Sequence, residues 1–276
     1  METRRSIIIS VAPVAKVSPD NRQAVLSSDA LIGEISACES AGASLVHLHV
    51  KDLYGKSTTE MNLFNSVIEG VRNRTDMIVQ GSTGGDGNLS AEARCVSLQN
   101  DTLEMASLNL GSTNFFDGVY VNSPDDIRYW AGEMNKRGVK PEFEIFSPDM
   151  IETASLLYRE KLVQAPFDFG ICLGIPWAMP ACARYLFLCA SLLPAGANWG
   201  LIEHARSDFS LAAVALSLGA TWIRVGREDS SHGIAAGSGP AEGNASMVSE
   251  MREFIESLGF NIASPSEARR MLGIGG

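Results

Sequence analysis

A closed (β/α)₈ barrel is the fold this sequence predicts, on three observations. Its 276 residues suit one complete barrel, which takes about 250. Short apolar runs rich in Val, Ile and Leu alternate with longer segments of helical period, the signature of repeated βα units around a parallel sheet. The segment after the first run, VAPVAKVSP, contains no glycine. A doubly wound open sheet, the other architecture built from such units, carries a glycine fingerprint there.

The apolar runs fall at 6–12, 44–50, 77–82, 105–109, 142–146, 167–173, 198–202 and 221–226, which makes eight strands. Between them helical patterns run over 28–41, 59–73, 124–137, 148–160 and 209–218, several opened by Ser, Thr or Asp as N-caps. Helices at 245–258 and 264–272 close the outer ring. No linker, repeat or low-complexity block interrupts the series, so residues 1–276 read as a single barrel domain. The richest Gly and Ser stretch, GIAAGSGPAEGN, follows strand eight, at the end where barrel enzymes build their sites.

Composition narrows the function classes. Hydrophobic residues make up 45% and charged residues 20%, enough for a sizeable core and too apolar for a disordered chain. The net charge is -10 and the 22 basic residues are scattered, which argues against a nucleic-acid surface but leaves room for a pocket holding one phosphorylated ligand. The apolar run at the start is broken by Pro13 and Lys16, too soon for a signal-peptide core. The apolar stretch 185–193 is far shorter than the roughly 20 residues that span a membrane. Five cysteines form no CxxC pair and sit mostly in apolar segments, as buried small hydrophobes do in a reducing compartment. A cytoplasmic protein without nucleic-acid or membrane partners is expected.

In a barrel, polar residues that interrupt the C-terminal ends of apolar strands need a reason. Strand two ends HLHVKD, which puts His47 and His49 on one face, while Val46, Leu48 and Val50 face the helices. Strand eight ends IRVGRED, where Arg224, Gly226 and Glu228 share a parity and Asp229 begins the loop. Both strands neighbour strand one, so Glu228 completes a set of two imidazoles and a carboxylate, suited to Zn²⁺ with one position open. The alternative for Arg224, Glu228 and Asp229 is a structural ion network. Strand three ends VQGSTGGDG, with Gln80 and Ser82 on one face and glycines whose N–H groups can approach a carboxylate, or simply make a turn. Ser107 and Asn109 share a face of strand four, and Glu142 and Glu144 a face of strand five. Two carboxyl groups inside a barrel must find donors or cations, so they act as supports, as acid/base groups, or as partners of an interior cation.

Taken together, HLHVKD, QGSTGG, MASLNLGSTNF, PEFEIF, RVGREDS and the tail GNASMVSEMREFIESLGFNIASPSEARRMLG resemble the β-keto acid cleavage enzyme family almost end to end. The resemblance implies a (β/α)₈ barrel with Zn²⁺ on His47, His49 and Glu228, and the reaction of a β-keto acid with acetyl-CoA to give acetoacetate and a new acyl-CoA. It also implies that Ser82, Thr83, Gly84, Gly85, and Ser107 or Asn109 grip the substrate carboxylate; Glu142 and Glu144 are further substrate-binding candidates. Asp229, oriented by Arg224, looks like the base, taking a proton from the acetyl methyl of acetyl-CoA. A homotetramer is the assembly implied. Two departures bear on substrate. Where members acting on an amino-bearing β-keto acid carry a glutamate after strand one, PVAK places Lys16, a substrate-binding candidate that would repel an amine and suits an anionic or neutral distal end. After strand seven, IEHARSDF puts Glu203, His204 and Arg206 where the family has a glycine-rich turn.

Three rival classes remain. An amidohydrolase-type hydrolase needs HxH on its first strand and further histidines on strands five and six; of the four histidines here, His204 and His232 follow strands seven and eight. A metal-dependent lyase or aldolase acting without CoA shares the same Lewis acid and base. A barrel kept only for binding would have lost a ligand or base, and none is missing.

Overall fold

The computed structural model describes residues 4–13, 28–52, 56–84, 89–230 and 242–275. Eleven strands are formed among them: β1 (Ser6–Val11), β2 (Leu45–Leu48), β3 (Ile78–Gly81), β4 (Met105–Asn109), β5 (Thr113–Phe115), β6 (Gly118–Tyr120), β7 (Lys140–Ile145), β8 (Asp168–Leu173), β9 (Asn198–Glu203), β10 (Trp222–Val225) and β11 (Asn261–Ile262). Eight of them, β1–β4 and β7–β10, run parallel in the order β1-β2-β3-β4-β7-β8-β9-β10. Pairing of β10 back onto β1, with Ile8 opposite Trp222 and Ser10 opposite Arg224, closes the sheet. This is the (β/α)₈ barrel that the alternation predicts, with each of the eight strands where the apolar runs lie.

The strands form because β-branched and other apolar side chains fill their outward positions. Ile7, Ile9 and Val11 of β1 and Val46 of β2 are fully buried under the helices, each contributing about 1.5–3 kcal/mol relative to exposure. The helices are α1 (Ser28–Ala41), α2 (Met61–Arg74), α3 (Ala91–Arg94), α4 (Pro124–Arg137), α5 (Met150–Arg159), α6 (Ala183–Leu192), α7 (Ser210–Leu218), α8 (Asn244–Ser257) and α9 (Pro265–Leu272). α4 shows the local logic well: Ser123 and Asp126 make a capping box, Pro124 sits in the first turn, and Gly138 ends the helix in the left-handed region. Helix α9 brings Leu272 to the floor of the barrel beside Ile8, Leu45 and Trp222. Across that floor lies the Trp222 indole, which Gly200 admits: a Cβ there would stand 2.0 Å from Trp222 Cδ2.

Two features lie outside the eight-strand reading. The β5–β6 hairpin follows β4, and its three-residue strands are half-exposed, so they leave no periodic signal. Strand β11 extends β1 outside the barrel, pairing Ser6 with Asn261 and Ile7 with Ile262. All five cysteines are free thiols and four are buried. Among the described residues no helix is long and apolar enough to cross a membrane.

Candidate active site

His47 points into the barrel from β2, 2% exposed, and His49 stands just past the end of the same strand. Glu228 arrives differently from the strand alternation expected of it. β10 ends at Val225, and Gly226 turns the chain with φ of 133°; a Cβ there would stand 2.2 Å from the Ala12 carbonyl oxygen. Only glycine meets both demands. The turn is then fixed by Glu228 N–H donating to Ala12 O (3.2 Å) and Asp229 N–H donating to Gly226 O (3.1 Å), which folds both carboxylates back over the mouth.

The three side chains converge. His47 Nε2 lies 3.2 Å from His49 Nε2, His49 Nε2 lies 3.2 Å from Glu228 Oε1, and His47 Nε2 lies 3.8 Å from the same oxygen. Ligands about 2.0–2.1 Å from a tetrahedral ion stand roughly 3.3 Å apart, so these separations suit one ion. Among the described residues the three form a group able to hold a metal, their ligand atoms within 4.8 Å of one another. Glu228 Oε2 is buried without a hydrogen-bond partner, and an ion would relieve it. Burial pushes His47 down to about 3, so its imidazole is neutral, as a ligand must be. Burial opposes the charge of Glu228, yet the His49 imidazole and Arg224 hold its carboxyl well below the usual range.

Beside this cluster Arg224 grips Asp229 with both arms of its guanidinium: Nε donates to Oδ2 at 2.8 Å and Nη2 to Oδ1 at 2.6 Å. The same cation reaches Glu144 (Nη1 to Oε1, 3.5 Å) and Glu228 (Nη2 to Oε1, 3.7 Å). Burial works against the charge on Arg224, but Asp229, Glu228 and Glu144 keep it protonated. Burial raises Glu144 above the usual carboxylate range, against the pull of Arg224.

Glu142, two residues earlier on the same face, sits one layer lower and 2% exposed. Its Oε2 accepts from Gln80 Nε2 at 2.6 Å, while Gln80 Oε1 lies 2.6 Å from His47 Nδ1. Burial, with Asp168 and Glu144 nearby, pushes Glu142 up to about 8. Asp168, buried and accepting from the Trp222 indole N–H at 2.9 Å, is pushed up to about 6.

The remaining described candidates lie on the loop after β3 and on β4, where Asn109 is level with Glu144 and Ser107 with Glu142. Ser82 Oγ accepts from Gly84 N–H at 2.9 Å, and Thr83 Oγ1 donates to the Ser107 carbonyl at 2.6 Å, tying the β3 loop to β4. Asn109 Nδ2 is a buried donor without a partner. A Cβ on Gly84 would meet Tyr120 Oη at 2.9 Å and His49 Cε1 at 3.9 Å, so this glycine lies between the hairpin and the metal cluster. Lys16, Gly85 and His232 lie outside the described residues.

The hairpin is a part of the site that sequence reasoning missed. Phe115 packs on Tyr120 and Phe146, and Phe116 meets the His204 ring edge-on at 5.1 Å. Buried Arg94 holds the hairpin base, donating to Val121 O (2.7 Å) and Asn122 Oδ1 (2.6 Å), its guanidinium over the rings of Tyr120 and Trp130. The signal available was the aromatic run in NFFDGVY. Of the departing segment, His204 thus faces the mouth, and burial pushes Glu203 up to about 7. Ala205 N–H donates to Asp229 O at 2.8 Å, linking this segment to the proposed base.

A parallel barrel with a candidate metal centre and a buried Arg–Asp pair at the C-terminal ends of its strands defines a barrel enzyme whose chemistry sits at that face. The chain belongs to the beta-keto acid cleavage enzyme family, whose model matches residues 6–274. It is 34% identical over 276 residues to the 3-keto-5-aminohexanoate cleavage enzyme of Fusobacterium nucleatum, with 97% of each chain covered. It is 32% identical to the 3-oxoadipate:acetyl-CoA acetyltransferase of Cupriavidus necator, over 97% of this chain and 94% of the relative. As a member of that family the chain is an enzyme of the acyltransferase type. A solved complex of ObcA with oxaloacetate shares the fold, at a TM-score of 0.76 and 22% identity over 91% of this chain and 67% of that one.

Proposed function

We propose that this protein is a zinc-dependent β-keto acid cleavage enzyme that converts a β-keto acid and acetyl-CoA into acetoacetate and a new acyl-CoA. The observation that carries the reading is the bidentate Arg224–Asp229 pair set against the His47, His49, Glu228 cluster. Bound zinc would supply a Lewis acid for the ketone and carboxylate of the β-keto acid. Ser82, Thr83, Gly84, Gly85, Ser107 and Asn109 are the groups available to grip that carboxylate, the unpartnered Asn109 Nδ2 first among them.

Atom balance corrects one expectation. Acetoacetate keeps the CH2–COO⁻ of the β-keto acid and gains an acetyl group, so the new bond joins C2 of the β-keto acid to the acetyl carbonyl carbon. Asp229 therefore takes its proton from C2, between ketone and carboxylate, and not from the acetyl methyl. The carbanion expels CoA thiolate from acetyl-CoA; the thiolate adds to the C3 ketone, and the C2–C3 bond breaks. Acyl-CoA leaves on one side and acetoacetate, reprotonated at C2, on the other. Arg224 aims the Asp229 carboxylate through its two hydrogen bonds, and Glu144 holds the guanidinium from another side.

Lys16 supports a substrate with an anionic or neutral distal end, and we place the enzyme in the cytoplasm as a homotetramer. A panel of β-keto acids assayed with and without acetyl-CoA tests the reading. Turnover is expected only with acetyl-CoA, to depend on zinc, and to be poorest on 3-keto-5-aminohexanoate. Turnover without acetyl-CoA would establish a lyase, and a His47→Ala variant with full zinc content and activity would overturn the site.

A further inference from the structure

We infer that Gln80 and Glu142 are positioning residues that fix which nitrogen of His47 faces the metal site. The inference rests on the metal reading above and concerns how this chain prepares for the ion. His47 has one nitrogen, Nε2, turned to His49 and Glu228, and the other, Nδ1, turned into the barrel against Gln80 Oε1 at 2.6 Å. A carboxamide is directional: one end only accepts and the other only donates. Gln80 Nε2 donates to Glu142 Oε2 at 2.6 Å, an oxygen that accepts whether the carboxyl is ionised or carries its proton on the unpartnered Oε1, so the amide Oε1 is the end left for the imidazole. Oε1 has no proton to give, so Nδ1 carries the hydrogen and Nε2 keeps its lone pair for a metal. Reversing the amide would turn an NH2 group onto Nδ1 and move the ring proton to Nε2, into the ligand position.

Three further details fit. His47, Gln80 and Glu142 are each no more than 2% exposed, so water does not compete for these contacts. A Cβ at Gly170 would stand 3.0 Å from Glu142 Oε1, so the absence of a side chain there leaves the carboxyl its seat beneath Gln80. Glu142 Oε1 is itself buried and unpartnered, a loss of stability that packing alone gives no reason to accept. Such violations of local rules belong at functional sites.

The test uses the full-length protein and zinc itself. In the metal-free wild type, nitrogen NMR of 15N-His-labelled protein should report the Nδ1–H tautomer for His47, assigned by its loss in His47→Ala; an Nε2–H tautomer overturns the inference without any variant. Zinc affinity measured by competition with a chromophoric chelator should fall 10–100-fold in Gln80→Leu, the usual effect of removing such a support. Glu142→Leu, which frees the amide to turn, should weaken binding less, and Glu142→Gln, whose carbonyl still accepts from Gln80, should restore it to within about threefold of wild type. Wild-type affinity in folded Gln80→Leu, or equal losses in Glu142→Leu and Glu142→Gln, would overturn the inference while leaving the metal site standing. A wild type that binds no zinc would remove the metal site itself, and the inference with it.

Discussion

Replacing Arg224 by Met keeps the bulk of the side chain and removes the one cation that three carboxyl groups share. Two strong hydrogen bonds to Asp229 disappear, at 2.6 and 2.8 Å, together with the longer contacts to Glu144 at 3.5 Å and Glu228 at 3.7 Å. Removing one partner of a buried ion pair destabilises by about 3–5 kcal/mol, because the charge left behind is neither paired nor hydrated. For a chain of this length that lowers the melting temperature by roughly 6–10 °C. The measurement is urea and thermal unfolding of metal-free protein at neutral pH, followed across pH. Without the guanidinium the abandoned carboxyls acquire raised folded-state pKa values. The sign follows: stability is fully present below their unfolded values near 4 and is lost as pH rises, so the deficit of the variant should shrink toward pH 4–5. Adding Glu144→Gln to Arg224→Met should return about 0.5–3 kcal/mol as coupling, since one of the three competing charges is gone. An Arg224→Met protein within about 1 kcal/mol of wild type at neutral pH, or one that shows no coupling to Glu144, would refute the shared-cation account.

Three other outcomes are expected. Glu142→Gln should flatten the pH dependence of stability: with a folded value of about 8 against an ordinary 4.5, the wild-type carboxyl contributes stability below pH 4.5 that is lost toward pH 8, up to on the order of 5 kcal/mol. Parallel stability curves for wild type and Glu142→Gln would reject this. Asp229→Asn should lower kcat by about 10²–10⁴-fold with KM little changed, measured on any β-keto acid the wild type turns over, and deuterium loss from C2 should slow in step. Gly226→Ala forces a Cβ onto the Ala12 carbonyl at a φ of 133°; we expect a loss above about 1 kcal/mol in stability and weaker zinc binding, read by thermal unfolding and chelator competition.

The barrel was legible because its inward and outward positions differ in chemistry. His47 and His49 alternate with Val46, Leu48 and Val50, all buried, so strand parity alone assigns the imidazoles to the interior. Parity also joined Glu228 to them, yet the structure reaches the same place through the Gly226 turn and not through a strand. What parity cannot supply is depth. Glu142 and Glu144 share a face of β7, but only Glu144 stands level with Arg224; Glu142 lies below, against Gln80. That difference is set by strand tilt and neighbour order, which bring residues 62 positions apart into contact. The hairpin escaped for another reason: three-residue strands that bury neither face have no period to detect.

The charges at the mouth favour a cation there, in keeping with the proposed metal site. With His47 neutral, the described groups gathered around Arg224 are one guanidinium against the carboxyls of Glu144, Glu228 and Asp229. When all three are ionised, the carboxyls outnumber this guanidinium by two, with Arg206 adding a longer-range attraction to Asp229, an excess of negative charge that a protein interior tolerates poorly. A divalent cation on His47, His49 and Glu228 would supply two positive charges beside these carboxyls. It would also leave Arg224 to Asp229, to which its two short bonds already run. Metal and guanidinium would thus divide the carboxylates between them: Glu228 to the ion, Asp229 to the arginine, with Glu144 bracing the arginine from the third side. Asp229 would then stand aimed by the arginine and beside the proposed Lewis acid, the placement that a base for the proposed proton transfer needs.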